Sequence, residues 1–286
     1  MLIHPINSNK FVNNQNINFK LNLRFAKDST GAIKNRSTTY FMRSDFPWDM
    51  GAVYFRDNVI RPFLEKYKGL KKIHFYDLGC SSGEGTISTI LSFMKHMKPE
   101  EYELVFPIIA KDIDKNNIQD AQNGLFYAND IEKVCLERMI TDDSQCKFFD
   151  INPDIAQNLW VKTLGNAKYM VKFDKNILDK AKFSEGNILT EIDSMPKETS
   201  IIRCSNMWAY LPRTDQIFLL KKISEKFKGT GSHIIFGGYD NPYGNNQEFK
   251  LYCSSTGSFN DNGTVVHLGI QQNGYEPTEV HNIFKI

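Results

Sequence analysis

From residue 70 onward the chain alternates short apolar runs with longer stretches whose apolar positions recur at helical spacing. Ile73–Leu78 (IHFYDL) predicts a buried strand between Lys72 and a glycine-rich turn. Ile87, Ile90, Leu91 and Met94 then mark one face of a helix that ends before Pro99. Leu104–Ala110 (LVFPIIA) is a second buried run, in which Pro107 is tolerable only near a strand start or a bulge. Lys115–Asn123 is polar and helical in character and is closed by Gly124. After a break the rhythm resumes. Ser200–Cys204 (SIIRC) predicts a strand, Thr214–Phe227 a helix with Ile217, Leu220, Ile223 and Phe227 on one face, and His233–Phe236 (HIIF) the next strand. Strand patterns at Val265–Ile270 and His281–Ile286 end the chain.

This alternation predicts an α/β fold, a mostly parallel twisted sheet with helices on both faces. The break, at about residues 125–180, reads as a small insertion. It holds helix-like stretches around Ile131–Met139 and Ile155–Leu164 and a short strand pattern at Tyr169–Phe173. The 286 residues suit one large domain with a small attachment.

Charge adds one feature. The net charge is +2, too close to zero to call for a nucleic-acid partner. Residues 1–36, however, hold six Lys or Arg against one Asp, and seven Asn precede residue 23. That composition predicts a flexible basic tail ahead of a domain at 37–286. No apolar run approaches the ~20 residues of a membrane span, so no membrane insertion is expected. Five scattered cysteines without a CxxC pair suit a reducing, cytoplasmic setting, and no histidine spacing predicts a metal site.

The sharpest chemical signal is Asp77-Leu-Gly79-Cys-Ser-Ser-Gly83-Glu84-Gly85, between a strand and a helix start. Glycines there allow left-handed backbone and close approach to a ligand. In dinucleotide folds this position holds a pyrophosphate. Here Glu84 would repel one, so the loop suits a ligand with little negative charge, or one with a cationic end. Asp112, within Ala110-Lys-Asp112-Ile-Asp114, ends the second strand, where an acid can accept ribose hydroxyls. Either Asp112 or Asp114 can instead cap the following helix. Gly186-Asn187-Ile188-Leu189 and Ser205-Asn206-Met207-Trp208-Ala209-Tyr210 follow strand-like segments. Both belong at the carboxyl edge of the sheet, where an Asn amide can pair with an adenine edge.

With Thr39-Tyr-Phe-Met-Arg43, this ordered set resembles the CheR type of S-adenosylmethionine-dependent methyltransferases, the chemotaxis receptor methyltransferases. Their pattern reads roughly TxFFR, GCSTGEEPYS, ATDID, NLL and CRNVxIYF, and the likeness spans about residues 37–240. It implies a Rossmann-like class I methyltransferase fold with an antiparallel C-terminal strand, and S-adenosylmethionine as cofactor. Asp77 belongs to the implied cofactor loop, in which Gly79 and Gly83 line the methionine part and Glu84 faces its ammonium. Asp112 holds the ribose, Asn187 and Ile188 frame the adenine, and Asn206 and Met207 close the pocket near the methyl group. Thr39 reaches over the cofactor, while Arg43 and Tyr210 act on the acceptor.

The implied substrate is a protein glutamate, made into a methyl ester on a chemoreceptor or another signalling protein. A small-molecule acceptor, or a non-catalytic S-adenosylmethionine-binding regulator, are the alternatives. Departures from the pattern are Ser37, Met42, Gly85, Thr86 and Ser205, where the family has Asn, Phe, Glu, Pro and Arg.

Overall fold

The structure, a computed structural model, describes residues 41–42, 48–124, 126–151, 167–205, 211, 213–236, 275–278 and 283–286. The basic tail and the stretches at 155–164 and 265–270 lie outside the described residues. Five parallel strands form the body of the main sheet: β1 (His74–Leu78), β2 (Ile108–Asp112), β6 (Ala181–Glu185), β7 (Ser200–Cys204) and β8 (His233–Phe236). Two antiparallel strands, β9 (Glu276–Pro277) and β10 (Ile283–Lys285), complete it on the β8 side. The order β6-β2-β1-β7-β8-β10-β9 places β1 at the centre, where the strand order reverses. In open α/β sheets that reversal opens a ligand crevice beyond the carboxyl ends of the strands.

β1 is buried at Phe75, Tyr76, Asp77 and Leu78, as a central strand covered on both faces must be. Phe75 lies beside Ile201, and Asp77 beside Arg203. Phe75, Ile108, Ile201, Ile235 and Ile283 belong to one core with the amino-terminal helices. β2 begins at Ile108, just after Pro107, so the proline falls outside the ladder. The buried run read from Leu104 is therefore a turn at 104–107 followed by a strand that continues to Asp112.

The helix patterns hold closely: α3 (Glu84–His96), α5 (Lys115–Asn123), α6 (Asp130–Met139) and α9 (Arg213–Phe227). Asp114 caps α5 through Asn116 N–H, and Gly124 closes that helix at φ 64°. Short helices α4 (Pro99–Tyr102), α7 (Lys175–Leu178) and α8 (Ile188–Ser194) fill the connections.

Two features lie beyond the expectations. Residues 48–67 form α1 (Trp48–Phe55), a π-helical stretch (Arg56–Ile60) and α2 (Arg61–Tyr67). Their buried Trp48, Ala52, Phe55, Val59 and Phe63 recur every three or four residues, and α1 packs on α3. The insertion contains a second, antiparallel sheet of β3 (Phe126–Ala128), β5 (Tyr169–Phe173) and β4 (Cys146–Asp150), in the order β3-β5-β4.

Candidate functional site

The loop after β1 is fastened to β2 by its own backbone. The N–H groups of Gly79 and Cys80 both donate to the Lys111 carbonyl, at 2.7 and 3.0 Å. The chain then curls through left-handed conformations at Gly79 (φ 82°), Ser81 (φ 52°) and Gly83 (φ 94°). Gly83 N–H donates to the Cys80 carbonyl, and Gly83 caps α3. A Cβ at Gly83 would meet the Phe183 ring at 2.9 Å and Ala121 Cβ at 3.3 Å. Glycine is thus required by backbone conformation and by packing inside the protein, whatever ligand the loop holds.

Two acids stand at this edge. Asp112, at the end of β2, accepts Ser81 N–H on Oδ2 at 2.7 Å and Asp114 N–H on Oδ1 at 2.9 Å. It fixes both the glycine loop and the turn into α5, and the Asn117 side chain also hydrogen-bonds it. Burial pushes its carboxyl up, and the Asp114 and Ser81 amides pull it back. Glu84 is 6% exposed and accepts the Ser82 hydroxyl at 2.9 and 2.7 Å. Its charge reaches a third acid, Glu132 of α6, whose carboxyl is raised to about 7, first by burial and then by Glu84.

Asp77 behaves differently from its expected place in the cofactor loop. Its Oδ2 accepts the Thr86 hydroxyl at 2.6 Å and Arg203 Nη1 at 2.9 Å, in a buried ion pair beneath the loop. Arg203 Nε donates to Ser205 Oγ at 2.9 Å, and the guanidinium lies 5.4 Å from the Trp48 ring centroid. A Cβ on Gly85 would come within 2.3 Å of Arg203 Nη2. Gly85, where the CheR pattern has Glu, is what leaves room for the guanidinium. Sequence reasoning places Arg203 only as a strand residue. A charged side chain inside the apolar run SIIRC was the available signal, since such a charge must be paired.

Asn187 caps α8: its Oδ1 accepts Leu189 N–H at 3.0 Å. Ile188 beside it is buried, and the two follow β6 at the same sheet edge as Asp112, joined by Gly186 N–H donating to the Asp112 carbonyl. Asp112, Gly79, Gly83, Glu84, Asn187 and Ile188 therefore gather at one edge, with Asp77 beneath it. Thr39, Arg43, Asn206, Met207 and Tyr210 lie outside the described residues.

Residues 37–166 match the model of the CheR methyltransferase, SAM-binding domain. That segment is similar to the cofactor-binding domain of this family. The chain is 24% identical over 240 residues to a chemotaxis protein methyltransferase of Borreliella burgdorferi, covering 80% of this chain and 75% of that one. It is 23% identical over 201 residues to chemotaxis protein methyltransferase 2 of Vibrio cholerae, covering 70% of this chain and 60% of that one. The magnesium protoporphyrin IX methyltransferase ChlM of Synechocystis PCC 6803, solved with bound SAM, is 12% identical, with 96% of this chain and 98% of that one covered at TM-score 0.37.

The cofactor of this CheR-type domain is S-adenosylmethionine, and its described residues fit that group. A buried Glu84 within reach of a second acid favours a cationic ammonium or sulfonium over a phosphate. Asp112 stands where a ribose diol is held in folds of this topology. Asp112→Ala is expected to weaken S-adenosylhomocysteine by roughly tenfold or more, since hydrogen bonds to a charged acceptor contribute about 1.5–3 kcal/mol each. Calorimetry on wild type and variant measures this, and equal affinities would move the ribose site elsewhere.

Proposed function

We propose that this CheR-type methyltransferase esterifies a carboxylate, the side chain of a glutamate on a protein partner such as a chemoreceptor or another signalling protein. The names of the two curated relatives support that reading. The described cations of the sheet edge are already engaged: Lys111 pairs with Glu191 at 2.7 Å and Arg203 with Asp77. Glu84 and Asp112 leave the edge acidic, so a carboxylate entering it needs a cation of its own. Arg43 directly follows Met42, whose N–H is held by Ser88 Oγ of α3 at 3.0 Å. In this reading Arg43 presents its planar guanidinium to the acceptor, and Tyr210 positions the acceptor oxygen.

When bound, S-adenosylmethionine supplies an activated methyl group, whose transfer to a carboxylate oxygen leaves a methyl ester and S-adenosylhomocysteine with no proton to move. A glutamate has a pKa near ~4.3 and is ionised at neutral pH, so no general base is required. The chain's contribution is alignment and exclusion of water. Pre-paid orientation of this kind is worth roughly 7–11 kcal/mol of barrier. Binding too tight to both acceptor oxygens would stabilise the ground state and return part of that gain.

The test is incubation of the protein with methyl-tritiated S-adenosylmethionine and host lysate, followed by base. Label released as volatile methanol is the expected result. A base-stable product would assign a nitrogen or ether acceptor instead. Binding of S-adenosylhomocysteine without any labelled product would make the chain a non-catalytic regulator.

A further inference from the structure

Phe41 and Met42 are held to the main domain at three points. The Phe41 ring, 1% exposed, inserts among the insertion's aromatics, 5.6 Å from the Phe126 ring centroid and 5.6 Å from that of Phe173. Phe41 N–H donates to Glu132 Oε1 on α6 at 3.1 Å, across 91 positions of sequence. Met42 N–H donates to Ser88 Oγ on α3, and that hydroxyl donates to the Glu84 carbonyl at 2.7 Å. Met42 takes a left-handed conformation, φ 48°, which a long side chain adopts only when surrounding contacts impose it.

Glu132 is the unusual member of this set. It belongs to a capping box, in which Asn129 Oδ1 accepts Glu132 N–H and Glu132 Oε2 accepts Asn129 N–H, both at 2.9 Å. Capping-box acids need accept only that one amide, and glutamine serves equally well without the charge. Here the carboxylate is 2% exposed and has Glu84 as a like-charged neighbour. Burying a charge beside another of the same sign is costly. What the carboxyl group offers and an amide does not is a pair of oxygens, here turned to two different backbone amides. The second oxygen is used by Phe41.

We infer that Glu132 is a positioning residue for methyl transfer, pinning the Phe41–Met42 turn against α3 and, through Ser88, to Glu84 of the cofactor loop. This rests on the reading that Thr39 and Arg43 serve the transfer site. The purely structural alternative is that Glu132 only starts α6. Asn129 separates the two, because Asn129→Ala removes the Asn129 Oδ1 bond of the cap while leaving the Glu132–Phe41 bond in place.

The experiment compares wild type, Glu132→Ala, Glu132→Gln and Asn129→Ala by amide hydrogen exchange and by calorimetry with S-adenosylhomocysteine. In Glu132→Ala, exchange at Phe41 and Met42 is expected to speed up at least tenfold and S-adenosylhomocysteine to bind about tenfold more weakly. Glu132→Gln keeps one acceptor oxygen and the side-chain volume. It is expected to shift both readouts in the same direction by about threefold, and it carries the test should the alanine variant fail to fold. Asn129→Ala is expected to keep wild-type exchange at Phe41 and Met42 and wild-type affinity while losing thermal stability. Wild-type exchange at Phe41 and Met42 in both Glu132 variants would overturn the inference. So would an equal loss of affinity in Asn129→Ala, or faster exchange with unchanged affinity. Absence of binding by the wild type is a different failure: it would overturn the cofactor reading, and the positioning role with it.

Discussion

Arg203→Met is expected to lower the stability of the protein by about 3–5 kcal/mol, the range for removing one partner of a buried ion pair. The guanidinium is 5% exposed and Asp77 2%, so the abandoned carboxylate has no water to turn to. Thr86 still donates to Oδ2, which offsets part of the loss. Asp77→Asn together with Arg203→Met leaves no buried charge and is expected to recover most of it, because an ion pair and an apolar replacement of similar volume differ little. Gly85→Val is expected to act on the same contact from above, since its Cβ would occupy the space of Arg203 Nη2. Urea denaturation of the three variants reads these values. If Arg203→Met costs under about 1 kcal/mol, the pair is not the tie between β1, β7 and α3 that its geometry indicates.

Where the sequence reading held, period and punctuation agreed. Gly83 before α3, Gly124 after α5 and the apolar stripe of α9 marked elements whose burial requires a fixed spacing. The central strands β1, β7 and β8 are buried on both faces and so appear as unbroken apolar runs. The insertion was harder to read. β3 is three residues long, and β4 (CKFFD) exposes Lys147, Phe149 and Asp150, so neither carries a usable alternation. The stripe from Trp48 to Phe63 was legible but runs through a π-helical stretch, and the strand–helix alternation that guided the reading begins only after it.

The candidate site was legible to different depths. Asp112 and Glu84 could be found because an acid at a strand end or in a glycine loop is unusual enough to need a reason. Asn187 reads from sequence as an adenine contact, and the geometry adds a helix cap without excluding that contact. Asp77 and Arg203 are adjacent only through strand register, which no local pattern encodes. The Glu132–Phe41 bond is further still from local sequence, because it joins a helix start inside the insertion to a segment ahead of the first strand.

The buried titratable groups lead to an expected result in acid. Burial and the neighbouring Glu84 raise Glu132 to about 7 from an ordinary glutamate value. Burial, with Lys285 nearby, lowers His233 to about 4, where its Nε2 meets the Tyr54 hydroxyl at 3.0 Å. The two groups act in opposite directions. Glu132 binds its proton more tightly in the folded state, so its contribution is fully present below about pH 4.5 and is lost as pH rises toward 7. His233 must stay neutral to remain buried, so its contribution is present above about pH 6.5 and is lost as pH falls toward 4. Each shift corresponds to about 3 kcal/mol at 1.36 kcal/mol per pH unit, and over pH 4.5–6.5 they nearly cancel. Glu132→Gln removes one side of that balance. Its stability relative to wild type is expected to fall by about 3 kcal/mol between pH 7 and pH 4.5, and the converse, a relative gain in acid, is expected for His233→Gln. Urea denaturation at half-unit pH steps gives the difference between profiles, in which titrations common to both proteins drop out. Parallel profiles for Glu132→Gln and wild type would mean that Glu132 titrates as an ordinary exposed acid, and that the burial of its charge beside Glu84 is not a property of the folded protein in solution.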